Sequence, residues 1–328
     1  MLIKKLVNLH RRNVLVFLFH RLPLKSREEI LRSIYGRRNS YLITTIKFCS
    51  QEYALIIDPH DEGLSHELIC YGIHEPKSSY TLLNYLRKNN FEVIIDVGSN
   101  IGYYPLLHFI GLHKRPTKLI CIEPLKICYD VLLLNIKLHD IKADCLKIAI
   151  GPNDGHTHML IYKRYNWSRI IDVASKSQSH NNSFRKLRKF ITTESVKMYT
   201  ISTIINSYFK GGDYKNLLIR ADIEGAEFYI ISDLFNNAKL KIRPFFMLEF
   251  HPLLMSKDKA IKAIDLLIRS RYTLDYIIER ELDWPFTDAP IITNLELFDL
   301  KKEIVRLFNS ESSKILRGSI FTLFLSPD

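Results

Sequence analysis

Residues 93 to 102 read VIIDVGSNIG: an apolar run into Asp96, then a loop carrying Gly98 and Gly102 ahead of Tyr103, Tyr104 and a helix-like segment. A buried strand feeding a glycine loop and a helix is how an α/β sheet receives a nucleotide-like ligand. The spacing separates one such ligand from another. A dinucleotide loop reads G-x-G-x-x-G so that the backbone can approach a pyrophosphate, whereas these glycines stand as G-x-x-x-G with Asn100 between them. Asp96 points the same way, because a carboxylate at the strand tip repels phosphate and suits a cationic or hydroxyl-rich ligand. S-adenosylmethionine, with an amino-acid head, a sulfonium and a ribose but no phosphate, fits this loop and is the expected cofactor.

Working outward, strands and helices alternate from residue 91 onward, the pattern of a mostly parallel sheet with helices on both faces. The strand candidates are 92–97, 118–122, 145–149, 216–221, 244–249, 272–279 and 319–325, which predicts a doubly wound α/β fold on seven strands. Pro105 falls in the first turn of the helix after the loop, where its missing N–H is harmless. Residues 151–215 interrupt the alternation, and SKSQSHNNSFRKLRKF (175–190) within them is rich in Ser, Asn and basic residues. Such an insertion either covers the acceptor or is a solvated excursion. On the N-terminal side, 41–58 alternates apolar and polar around Ser50 and Gln51 as a hairpin would, a charged loop at 58–63 precedes Leu64 to Tyr71, and 79–90 reads as a helix. The expected domains are an N-terminal α+β extension, 1–90, and an α/β domain, 91–328.

The chain has 328 residues, 47% of them hydrophobic, enough for one large α/β domain plus an extension. Its 47 basic and 35 acidic residues leave a formal charge of +12, and residues 1–40 alone hold ten Lys or Arg against Glu28 and Glu29. Val14 to Phe19 is too short for a bilayer, which takes about 20 apolar residues, and no small-residue cleavage site follows, so neither a signal peptide nor a membrane span is expected. Leu2, Leu6, Leu9, Val16 and Phe17 among these basic residues suit a helix lying on an anionic membrane surface or lipid-linked substrate. They equally suit a docking helix with solvated charges, and the irregular apolar stripe favours that reading. Cys49, Cys70, Cys121, Cys128 and Cys145 include no C-x-x-C pair and read as small buried hydrophobes in a reducing, cytoplasmic compartment.

Three further stretches can carry chemistry. In ICIEP, Glu123 ends a strand candidate 27 residues after Asp96, placed either to accept both ribose hydroxyls or to start the following helix; the first is preferred. In LLIRADIEGAEFYII (217–231), Asp222 tips a buried strand, and Glu224 and Glu227 are expected on one face of the next helix's first turn. In FFMLEFHP (245–252), Glu249 ends another strand, with His251 two residues on. Asp222, Glu249 and His251 can converge over a methyl acceptor. His251 is the first candidate for a general base, since an ordinary imidazole pKa near 6.5 suits that task, and Asp222 is the second. The same three residues are chemically able to take a divalent ion, but nothing in their spacing demands one and no metal is expected.

Together, DVGSNIGYY, CIEP, LNIKLH, DIEGAE and LEFHP resemble the FkbM-type methyltransferase family over about residues 60 to 252. The resemblance implies a class I methyltransferase fold, Rossmann-like, and methylation of hydroxyls on sugars or polyketides. It implies that Asp96, Gly98, Asn100 and Gly102 shape the cofactor loop and that Glu123 binds the ribose; Tyr103 and Asp222 are counted with them as cofactor contacts. Asp222, Glu224 and Glu227 match the family's D-x-E-G-x-E element. Ser99 stands where alanine is common, and Arg220 where lysine is common. Arg220 keeps the charge but cannot act as a neutral amine. The expected activity is O-methylation of a sugar, glycolipid or polyketide-like acceptor, with no nucleic-acid partner. An RNA methyltransferase, suggested by the charge, would show a steep salt dependence, and an inactive binding protein of the same fold would bind cofactor without turnover.

Overall fold

A computed structural model describes residues 41–48, 51–112, 116, 118–171, 192–209, 216–236, 243–279, 291–292, 295–309 and 320–328. The basic segment 1–40, Cys49 and the polar run 175–190 lie outside these residues. The described chain divides into two compact units, one comprising residues up to His74 with Lys163–Asn166, the other Glu75–Tyr162 with Trp167–Asp328.

In the first unit, β1 (Leu42–Phe48) and β2 (Gln51–Ile57) pair antiparallel with Phe48 opposite Gln51, as the alternation predicts. The alternation turns Ile46, Phe48, Leu55 and Ile57 inward. Helix α1 (Leu64–Tyr71) follows. Its start is held by the buried Asp61 carboxylate, which accepts the N–H groups of Gly63, Ser65 and Tyr165.

The second unit opens with α2 (Pro76–Lys88), which the sequence grouped with the N-terminal extension. Then come β3 (Val93–Val97), α3 (Tyr103–Gly111), β4 (Lys118–Ile122), α4 (Lys126–Leu138) and β5 (Asp144–Leu146). A side structure follows, made of β6 (Ala149–Ile150), β7 (Gly155–Ile161), β8 (Arg169–Ile170), β9 (Thr192–Tyr199) and α5 (Ile201–Tyr208). The chain returns through β10 (Leu217–Ala221), α6 (Glu227–Asn236), β11 (Phe245–Phe250), α7 (Lys257–Arg269) and β12 (Tyr272–Glu279). It ends with β13 (Ile291–Ile292), α8 (Leu297–Phe308) and β14 (Phe321–Pro327).

The main sheet runs in the order β13-β12-β14-β11-β10-β3-β4-β5. The five strands from β11 to β5 are parallel, and β14 lies antiparallel between β11 and β12. All seven expected strands are present, and β13 adds a two-residue edge. The 145–149 candidate is divided, with Asp144–Leu146 in this sheet and Ala149–Ile150 in another. Every residue of β3 and β10 is buried. Successive strand residues point to opposite faces, so both faces of the sheet centre are covered. Helix α2 packs on α3, whereas α5 to α8 pack in succession on one another.

The progression of strands across the sheet reverses between β3 and β10. From β3 it runs outward to β4 and β5, then crosses back to β10 and β11. Such a switch point opens a crevice at the carboxyl ends of the strands, which is where this architecture binds ligands.

The expected insertion at 151–215 differs from a polar loop in its described part. Strands β6 to β9 form a four-stranded sheet in the order β6-β9-β7-β8, and Thr200 caps α5 by accepting the Thr203 N–H. In TTESVKMY the exposed Ser195 and Lys197 flank the buried Val196, a strand signal that composition hides beside the neighbouring polar run.

Close approach of β3 and β10 depends on Gly98. Its φ is +81°, and a Cβ there would lie 2.1 Å from the carbonyl oxygen of Asp222. Gly98→Ala should therefore cost at least about 2 kcal/mol. Chemical denaturation read by circular dichroism checks this, and a loss below about 0.5 kcal/mol would show that the crossing tolerates a methyl group.

Candidate active site

The glycine loop is fastened to β4 from its first residue. Gly98 and Ser99 both donate their N–H to the carbonyl of Ile122, and Gly102 donates to that of Ser99. Asn100, in a left-handed conformation with φ 48°, donates its N–H to Glu123 Oε2 at 2.8 Å. Glu123 Oε1 accepts the Leu125 N–H at 2.9 Å, just ahead of α4. One carboxylate thus ties the loop to the next helix, and each oxygen keeps a second lone pair for a hydroxyl donor. Burial, partly offset by these two N–H groups, pushes the Glu123 carboxyl up to about 7.

Arg220 sits at the centre of the crevice. The register of β10 on β3 puts it opposite Asp96, and its side chain is only 3% exposed. Nη1 donates to the Gly98 carbonyl at 2.8 Å and lies 3.5 Å from Asp96 Oδ1, while Nη2 donates to Asp222 Oδ2 at 3.1 Å. The guanidinium stacks 3.9 Å from the ring centroid of Tyr104, whose hydroxyl donates to Glu75. Burial raises the Asp96 carboxyl, but Arg220 and the His108 ring, 3.7 Å away, outweigh it and hold Asp96 below the ordinary carboxylate value. Breaking a buried pair of this kind typically costs about 3–5 kcal/mol.

Beyond Arg220 lies an acidic cluster with one histidine. The sequence placed Glu224 and Glu227 together in a first helical turn, but α6 starts only at Glu227. Glu224 has φ 51° and Gly225 φ 97°, a tight turn that a helix cannot contain. Glu227 Oε1 reaches back over this turn to accept the N–H groups of Ile223 and Gly225. The same oxygen is 3.0 Å from His251 Nδ1. On the other side of the fully buried ring, Nε2 lies 3.5 Å from Glu249 Oε1 and 3.9 Å from Glu224 Oε2.

Asp222, Glu249 and His251 do converge, with one donor atom from each lying within 4.8 Å of the others. The ordinary pKa that recommended His251 as a base does not hold there. Burial lowers it, but Glu227 and Glu224 outweigh burial and hold the ring well above 6.5. Burial and then Glu249 push Asp222 up to about 7, against the pull of Arg220 and His251.

Asp96, Gly98, Asn100, Gly102, Glu123 and Asp222 gather around the switch point. Tyr103 does not: its ring is fully buried and its hydroxyl bonds Ser79 on α2. Tyr104 is the tyrosine that faces the site, through Arg220. Sequence reading treated Arg220 only as a substitution and overlooked His108. A lone charge inside the buried strand LLIRA was the available signal for the arginine, whereas nothing local marks His108.

The FkbM methyltransferase domain profile matches residues 96–278, more than half of the chain. The chain therefore belongs to the FkbM-type methyltransferase family, and its strand order is that of a class I methyltransferase fold. Methyltransferase sdnD of Sordaria araneosa is 24% identical over 155 residues, which is 42% of this chain. The chain matches 58% of the length of that relative. Among solved structures, methyltransferase FkbM from Methylobacillus flagellatus KT is 15% identical with a TM-score of 0.37, covering 62% of this chain and 47% of that one. An O-methyltransferase dependent on S-adenosylmethionine from Thermotoga maritima is 10% identical with a TM-score of 0.37, covering 86% and 77%. Both scores are too low to add to what the strand order and the family match establish.

The raised pKa of Glu123 has a sign that can be tested. Its folded value of about 7 exceeds the ordinary 4.5, so its protonated form favours folding below 4.5 and that contribution is lost as pH rises toward 7. Relative to Glu123→Gln, wild type without cofactor should lose stability by up to about 1.4 kcal/mol per pH unit across that window. Parallel denaturation curves at pH 5, 6, 7 and 8 check it, and a constant offset between the two proteins would contradict the burial argument.

Proposed function

We propose that this chain transfers a methyl group from S-adenosylmethionine to a hydroxyl on a sugar, glycolipid or polyketide-like acceptor. The observation that carries the reading is the placing of Glu123, Asp96 and the Asp222–Glu249–His251 cluster at the ends of adjacent strands, around one switch point. The residues fit the cofactor's chemistry. Asp96 Oδ2 and Asn100 Oδ1 are buried and have no hydrogen-bond partner among the described residues, so the loop presents polar atoms with unused capacity. The Glu123 oxygens suit two ribose hydroxyls, and the carboxylates suit an ammonium and a sulfonium.

When bound, the cofactor supplies an activated methyl on a cationic sulfur. The chain's own part is to hold the acceptor oxygen in line and to keep water out, and positioning of that kind is worth roughly 7–11 kcal/mol. Asp222, Glu249 and His251 take a further task, accepting the acceptor's proton as one coupled group rather than as three independent bases. Arg220 keeps Asp222 and the Gly98 carbonyl in fixed relation, so that the loop and the cluster stay in register.

The acceptor is read as a small molecule or glycan rather than a nucleic acid, because the basic excess is concentrated in residues 1–40. A cytoplasmic site of action, with that segment touching an anionic membrane or a lipid-linked substrate, belongs to the same proposal. No described helix is long and apolar enough to cross a membrane.

Calorimetry should find one S-adenosylmethionine per chain, bound at least about tenfold more weakly by Glu123→Ala, which removes charge-assisted hydrogen bonds. His251→Ala should leave that affinity within a few-fold while turnover falls by about tenfold or more. Methyl-labelled cofactor incubated with glycan, glycolipid and RNA fractions identifies the acceptor. Label entering RNA alone would overturn the hydroxyl-of-glycan reading.

A further inference from the structure

We propose that Asp222, Glu249 and His251 bind one divalent cation of the Mn²⁺, Co²⁺ or Zn²⁺ kind. The three offer two carboxylate oxygens and an imidazole nitrogen within 4.8 Å of one another, with His251 Nε2 already 3.5 Å from Glu249 Oε1. Bonds of about 2.1 Å in octahedral geometry put neighbouring donors about 3 Å apart and opposite ones about 4 Å apart, so small side-chain rotations close the site. A mixed oxygen and imidazole set suits these metals better than Mg²⁺ or Ca²⁺, which take oxygen alone.

Two observations independent of the spacing point to an ion. His251 is wholly buried, and its Nε2 makes no hydrogen bond among the described residues although it faces Glu249. A buried polar nitrogen left in that state is costly, and a cation held by the surrounding carboxylates would satisfy it. Meanwhile Nδ1 is held at 3.0 Å by Glu227 Oε1, which is itself fixed by the Ile223 and Gly225 N–H groups. A carboxylate bonded to the far nitrogen of a histidine is the arrangement that orients metal-ligating imidazoles.

The charge count agrees. Asp222, Glu224, Glu227 and Glu249 crowd around one guanidinium and one imidazole, and Arg220 is already committed to Asp222, to the Gly98 carbonyl and to Asp96, which the His108 ring also faces. The ligands also stand on rigid supports, since Ala221 pairs with Leu248 and so sets Asp222 beside Glu249 on neighbouring parallel strands. Three protein donors leave coordination positions open. An acceptor hydroxyl bound there would lose its proton more readily, a role that rests on the proposed methyl transfer, whereas the binding of the ion does not.

The test uses the full chain stripped with chelator and titrated with MnCl₂, with free Mn²⁺ read by electron paramagnetic resonance. One ion per chain is expected, displaced by Zn²⁺. Asp222→Asn and Glu249→Gln should each weaken binding at least about tenfold, and Glu227→Gln by about 10- to 100-fold while circular dichroism stays native. Fe²⁺ with ascorbate and peroxide, applied to wild type, should cleave the backbone near residues 222 and 249–251, a readout that needs no variant. Absence of Mn²⁺ binding, affinity unchanged in both ligand variants, or cleavage confined to other segments would each overturn the site. Ion binding without methyl transfer to any acceptor would sink the proposed function and leave the site standing; transfer without ion binding would do the reverse.

Discussion

A guanidinium enclosed between two parallel strands holds this site together. Arg220 is buried where β10 meets β3, and it is in contact at once with Asp96 on one strand, the Gly98 carbonyl in the loop and Asp222 at the end of its own strand. A buried charge must be met by opposite charge and hydrogen bonds on every side, so its position dictates where those groups lie. The stacking of Tyr104 answers that requirement, and Arg220 together with the His108 ring holds Asp96 below its ordinary pKa.

The two halves of the crevice follow different electrostatic rules. On the β4 side, Glu123 is satisfied by backbone N–H groups and carries its charge reluctantly because it is buried. On the β11 side, carboxylates outnumber their cationic partners, and one imidazole cannot balance them. Negative charge concentrated at strand ends attracts a cationic donor, and a second cation beside it would act on the acceptor rather than on the donor.

Much of the architecture was legible because its signals are local. An apolar β-branched run such as VIIDV states that it is a buried strand, and the alternation of 41–58 states a hairpin. Glycines spaced G-x-x-x-G limit the ligand class before any coordinate is known. The reading failed where neighbours in sequence were asked to predict a turn. Glu224 and Glu227 look like one helical face, yet Glu224 takes a left-handed conformation because Gly225 and the reach of Glu227 close a turn ahead of the helix. Tyr103 and Tyr104 are adjacent and chemically alike, and only packing against α2 decides which of them is withdrawn from the site.

By itself, then, the sequence determined the strand count of the core, the position of the glycine loop, the absence of a dinucleotide loop and the family, since each depends on residue type and spacing along the chain. Tertiary structure alone decided the proton affinity of His251, the central place of Arg220 and the hold of Glu227 on the His251 ring. Those properties arise from fields and burial summed over strands that lie far apart in the chain, and no local pattern records such a sum.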